Sequence, residues 1–159
     1  ASAAAPAIVL PRLRGSVGAK APAGLHAHCN LQWTMTESCA ATSAGLTAAA
    51  NKMSGFASCG SSEKCGYTVK ASNATMFMGI HQTPVKHYKD DLTMSFTAAS
   101  AGGCSVAAHS TSEIWYAVLD DGTNYCNLHN LAEASGLSFT EKVDPSDCTQ
   151  YSSANCAKY

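Results

Sequence analysis

The chain has 159 residues, a formal net charge of −1, only 13% charged residues and 46% hydrophobic ones. That length fits one domain with a core of its own. The near-neutral charge gives no global attraction to nucleic acid, and no apolar run approaches the ~18 residues that span a bilayer. Eight cysteines, Cys29, Cys39, Cys59, Cys65, Cys104, Cys126, Cys148 and Cys156, are dispersed without a CxxC pair. An even, scattered set reads as disulfides formed in an oxidising compartment, a thylakoid lumen or the extracellular space. Eight cysteines allow 105 pairings. Cys59 with Cys65 is the best local pair, and Cys148 with Cys156 is a weaker one. The start at Ala1 fits a processed product.

In chain order, residues 1–27 read as an extended arm. Ala, Gly and Pro dominate, and neither a helical nor a strand period persists. Arg12, Arg14 and Lys20 stand there with no acid before Glu37, so a basic arm is joined to a mildly acidic body. The apolar cluster Ile8, Val9, Leu10 and Leu13, with Arg12 and Arg14, is the natural partner-binding segment.

The body runs over 28–159 as a single disulfide-stabilised domain. Cys29 to Met35 alternates apolar and polar residues and predicts a strand. Thr34, Thr36 or Ser38 can cap a helix over 39–56, with Leu46, Ala49, Ala50, Met53 and Phe56 on one stripe. Gly45 weakens that helix by about 1 kcal/mol relative to Ala. A hairpin follows, from Cys65–Ala71 through a Ser72-Asn73 turn to Thr75–Ile80. Leu92–Phe96 alternates, Ala101-Gly102-Gly103 signals a tight turn, and Cys104–Ala108 returns. Ile114–Leu119 is an apolar, aromatic-rich stretch. Asp120-Asp121-Gly122 turns, and Thr123 or Asn124 can cap a second helix carrying Leu128, Leu131 and Ala132, ended by Gly136. Residues 137–159 read as a polar tail pinned by Cys148 and Cys156. The predicted class is α+β: an antiparallel sheet of about four or five strands with two helices on one face.

The residues Thr83-Pro-Val85, Tyr88-Lys-Asp90-Asp91, Ser110-Thr-Ser112-Glu113-Ile-Trp115-Tyr116, Gly122-Thr123-Asn124-Tyr125-Cys126-Asn127-Leu128 and Cys148-Thr-Gln150-Tyr151 to Cys156-Ala-Lys-Tyr159 carry a resemblance. This half of the chain resembles an uncharacterised family of small secreted or lumenal cysteine-rich proteins of algae, other protists and some invertebrates. The resemblance implies no catalytic residue.

His26-x-His28 could chelate a metal on an extended backbone, but a site needs further ligands in defined geometry. With no HExxH or HxxxH spacing, His26, His28, His81, His87, His109 and His129 read as surface or arm residues. Asp90-Asp91 and Asp120-Asp121 lack a calcium-loop pattern and read as turn chemistry. Trp33 and Trp115-Tyr116 read as core or core-edge packing. Asn73-Ala-Thr75 is an N-glycosylation sequon in a turn.

No cofactor and no catalytic centre is expected. The leading expectation is a non-enzymatic accessory subunit of a larger protein assembly, docked by its arm. Its specific version is a thylakoid-lumenal subunit of an algal photosystem–antenna supercomplex. The alternative is a free secreted protein holding a small ligand between sheet and helices.

Overall fold

The computed structural model describes residues 26–114 and 118–159. The class is α+β, with two helices and one antiparallel sheet of six strands. The strands are β1 (His28–Met35), β2 (Tyr67–Asn73), β3 (Met76–Gln82), β4 (Lys89–Ala98), β5 (Cys104–Ser112) and β6 (Phe139–Cys148). Helix α1 (Cys39–Lys52) follows β1, and α2 (Thr123–Ser135) lies between β5 and β6. The sheet order is β2-β3-β4-β5-β1-β6, so the first strand is inserted between two late ones. Among the described residues no helix is long and apolar enough to cross a membrane.

The register explains why one face of the sheet is buried. Successive strand residues point to opposite faces. Trp33 stands opposite Val106 and Leu31 opposite Ala108, while Met94 pairs Ala108 on the other side. Phe77 extends the same row from β3. All six are buried, and Leu46, Ala49 and Ala50 of α1 and Leu128, Leu131 and Ala132 of α2 close over them. The partner residues Thr34, Thr93, Ser95, Thr97, Ser105 and Ala107 are exposed on the other face. Strand alternation and helix stripes thus produce one core between sheet and helices.

Ser38 is the N-cap of α1, and its hydroxyl accepts from the Ala41 N–H. Gly45, a cost in helix propensity, lets Leu137 pack against α1; a Cβ there would stand 2.8 Å from a Leu137 methyl. The second helix differs from expectation. Its N-cap is Gly122, with no side-chain cap from Thr123 or Asn124. Asn124 is instead turned fully inward, and the Asp120 carboxylate accepts from the Gly122 and Asn124 N–H groups. A carboxylate at a helix N-terminus serves the orphan donors there and meets the favourable end of the helix dipole.

The segment predicted as a polar tail forms β6 over most of its first half. It pairs with β1, placing Phe139, Glu141 and Val143 opposite Met35, Trp33 and Leu31. Glu141 occupies an inward position because the Trp33 indole N–H donates to it at 2.8 Å. Lys142 and Pro145 then sit on an edge strand, where such residues discourage pairing with another chain.

All eight cysteines are paired, as Cys29–Cys148, Cys39–Cys104, Cys59–Cys65 and Cys126–Cys156. The local Cys59–Cys65 pair is as predicted. Cys148 with Cys156 is not: the β1–β6 register sets Cys148 opposite Cys29, and Cys156 reaches Cys126 on α2. Four disulfides point to an oxidising environment. The arm residues Ile8, Val9, Leu10, Arg12, Leu13 and Arg14, and Trp115 and Tyr116, lie outside the described residues.

Candidate functional site

One end of the sheet opens into a cleft of about 500 Å³. The β3–β4 connection supplies Thr83, Val85 and Tyr88, and the ends of β4 and β5 supply Asp90 and Ser112. Asp120, Asp121 and Thr123 come from the approach to α2, and Lys158 and Tyr159 from the C-terminal segment. The volume is in the range of small-molecule sites.

The floor is polar and buried. Asp90 is 5% exposed. It occupies an inward strand position at which alternation would place an apolar residue. Its Oδ1 accepts from the Ser112 hydroxyl at 2.8 Å, and its Oδ2 from the Asn127 amide at 2.7 Å. Asn124 donates to both Ser112 Oγ and Asp120 Oδ2 and accepts from Ser110. The Tyr67 hydroxyl donates to the Asn127 carbonyl oxygen. Burial raises the Tyr67 pKa, and the Asp90 charge adds to the shift. Three asparagines of α2, Asn124, Asn127 and Asn130, are buried where helix periodicity alone predicts an apolar stripe. That spacing of poor helix formers on the core face was the readable signal of a buried polar network.

Asp120 sits at the edge of this network. Burial pushes its carboxyl above the usual range, hydrogen bonds from Asn124 and Gly122 oppose the shift, and the Asp90 charge reinforces it. Glu63 is also raised by burial, against the lowering fields of His81 and Lys158. The rim is apolar. Val85 is 82% and Leu119 70% exposed, with Tyr88 beside them. Half of the exposed large hydrophobic side chains among the described residues therefore line this one cleft.

Both carboxylates retain acceptor capacity. A carboxylate offers about four lone-pair positions. Asp90 uses two on Ser112 and Asn127, and Asp120 uses three on Gly122 and Asn124. The floor therefore calls for donors.

Its order does not form a nucleophile–base relay. Ser112 donates directly to Asp90 and accepts from Asn124, with no imidazole between them. His81 is buried, not on the surface as its sequence context suggested. Its Nε2 meets the Glu63 carbonyl oxygen at 3.0 Å, and its Nδ1 lies 3.9 Å from Asp90 Oδ2.

The acid pairs separate as strand geometry requires. Asp91 points away from Asp90 and is exposed. His87 adopts a positive φ in the β3–β4 connection, near Phe56. His129 on α2 contacts Glu141, whose hydrogen bond raises its pKa against burial. Asn73 ends β2, exposed, with its Oδ1 accepting from the Thr75 and Met76 N–H groups across the turn. His28 and His109 lie on adjacent strands of the sheet, and His26 Nδ1 lies 2.7 Å from the Ser112 carbonyl oxygen at the end of β5. Compared with known proteins, the chain matches no family model, no curated protein and no solved structure.

Proposed function

We propose that this protein is a secreted or lumenal binding protein that holds a small ligand in the cleft. The ligand class is one with a cationic amine, or a comparable cluster of N–H donors, on an apolar body. The observation that carries this reading is the pair of carboxylates, buried Asp90 and part-buried Asp120, with further acceptor capacity beside the exposed apolar side chains of the rim. A buried carboxylate facing a donor gains a charge-assisted bond that water would otherwise supply. Val85, Tyr88 and Leu119 give the apolar body a surface to cover. The Ser112 hydroxyl, committed to Asp90 and Asn124 with no imidazole between, supports binding over hydrolysis.

The accessory-subunit reading, including its photosystem version, rests on the sequence of residues 1–27 and on the family resemblance. The cleft supports the ligand-binding alternative more directly.

The test is a titration of isotope-labelled protein with tryptamine, and with indole-3-propionate as the anionic counterpart. Tryptamine should shift the amides of Lys89, Asp90, Ser112 and Asp121. Asp90→Asn and Asp120→Asn should each weaken binding at least tenfold while a thermal melt confirms the fold. Equal binding of the two indoles, or no shift with either at millimolar concentration, would overturn the reading.

A further inference from the structure

The tip of the β2–β3 hairpin carries chemistry that the cleft does not use. Seven asparagines occur in the chain, and only Asn73 begins an Asn-x-Ser/Thr triplet, Asn73-Ala74-Thr75. All three residues of the triplet are exposed. The asparagines of α2 differ: Asn124 and Asn127 are buried and committed to the cleft floor.

The hydrogen bonds determine which end of the Asn73 amide is available. Asn73 Oδ1 accepts from the Thr75 N–H at 2.9 Å, from the Met76 N–H at 3.1 Å and from the Thr75 hydroxyl at 2.8 Å. A backbone N–H can only donate, so two of these bonds fix the oxygen of the amide against the turn. Among the described residues every side-chain hydrogen bond of Asn73 uses Oδ1, which leaves the Nδ2 protons without a protein acceptor. Three donors on Oδ1 also stabilise the negative charge that collects there as Nδ2 gives up a proton.

The surroundings hold this turn and leave room beside it. The Ser43 hydroxyl of α1 donates to the Asn73 carbonyl oxygen at 2.8 Å, and the Phe96 N–H of β4 donates to the Thr75 carbonyl oxygen at 2.9 Å. The Asn73 side-chain bonds span only two or three residues, so they can form before the sheet does. A shallow groove of about 470 Å³ lies between the turn and α1, lined by alanine, serine, threonine and asparagine alone. A bulky group on Nδ2 therefore meets no large side chain there. In addition, β2 is an edge strand whose one charge is Lys70. A sugar chain at its end blunts an edge that would otherwise be open to pairing.

We infer that Asn73 is an N-glycosylation site, modified as the chain matures in a secretory lumen. Its Nδ2 attacks the anomeric carbon of an oligosaccharide carried on a lipid pyrophosphate. The carbon–nitrogen bond forms as the bond from that carbon to the pyrophosphate oxygen breaks. The lipid pyrophosphate leaves with the electron pair, and one Nδ2 proton passes to a base of the transferase. No oxidant or reductant is consumed. The inference rests on the secreted form of the reading above and is independent of the cleft.

The test is expression of the full chain through the secretory pathway of a eukaryotic host. Mass spectrometry of the peptide holding Asn73 is read in both the intracellular and the secreted pools. The expected result is a glycan on most chains. Peptide-N-glycanase should release it without denaturation, because Asn73 is exposed, and leave aspartate at that position. Thr75→Ala and Ala74→Pro should each abolish the modification. Pro suits the second position of a turn and the extended residue before it, so that variant keeps its hairpin. Thr75→Ser should retain the glycan. Tryptamine titration of the Thr75→Ala chain reports on the cleft separately. An unmodified Asn73 in both pools, or a glycan that persists in Thr75→Ala and Ala74→Pro, would overturn the inference.

Discussion

Removing the Cys126–Cys156 disulfide as Cys126→Ala/Cys156→Ala separates stability from ligand binding. The bridge closes a sequence separation of 30 residues. Loop-closure entropy assigns it about 3.6 kcal/mol at 25 °C. Cys39–Cys104 closes 65 residues, for about 4.3 kcal/mol. The two bridges lie at opposite ends of the fold. Cys104 opens β5 and Ser112, in the cleft floor, ends it, roughly 27 Å away at the rise of an antiparallel strand. Cys156, in contrast, holds the segment that brings Lys158 and Tyr159 to the cleft wall. The Cys39→Ala/Cys104→Ala variant should therefore lose more stability in urea and keep its tryptamine affinity. The Cys126→Ala/Cys156→Ala variant should lose somewhat less stability and at least tenfold in affinity. Urea midpoints and calorimetric titrations on the two variants measure both quantities. If affinity declines in the same order as stability, the C-terminal segment is not a wall of the site and the reasoning fails.

Three further outcomes follow from local geometry. Gly66 has φ +72°, and a Cβ there would lie 2.1 Å from the Gln82 carbonyl oxygen; Gly66→Ala should cost roughly 3 kcal/mol or more. Gly60 has φ +58° and open space around it, so Gly60→Ala should cost about 1–2 kcal/mol, and equal losses in denaturant melts would refute the contrast. Burial raises the Asp120 carboxyl above its ordinary range, so tryptamine affinity should decline as pH falls at values above an ordinary aspartate titration; a flat profile to pH 4 would contradict this. For His129 and Glu141 the signs oppose. His129 is raised by the Glu141 hydrogen bond, so its contribution is present below about 6.5 and lost as pH rises through the folded value. Burial pushes Glu141 up, but hydrogen bonds from His129, Trp33 and Tyr125 outweigh it and leave it lowered, so its contribution is present above about 4.5 and lost at more acid pH. Glu141→Gln should thus destabilise more at pH 5.5 than at pH 8, by about 1 kcal/mol or less for this partly exposed pair; equal losses at both pH values would refute the pairing.

Much of the fold was legible because its strands obey a two-residue period. Cys29–Met35 and Leu92–Phe96 show alternation directly, and both become central strands. The last strand was hidden because an inward position is taken by Glu141, and Pro145 further breaks the pattern. Its charge is acceptable because Trp33, Tyr125 and His129, all distant in sequence, surround it with donors. The cleft was hidden for a similar reason. Asp90 looked like turn chemistry until the register placed it under Ser112 and beside Asn127. The adjacency of the His28 and His109 strands depends on the insertion of β1 between β5 and β6, and no local spacing encodes that.

The central claim is that the Asp90 and Asp120 carboxylates of the cleft recognise a cationic donor. A crystal structure of the protein with tryptamine tests it most directly. The account predicts the ammonium within hydrogen-bond distance of Asp90 or Asp120, with the indole against Val85, Tyr88 or Leu119. An indole seated elsewhere, or an ammonium turned away from both carboxylates, would contradict it.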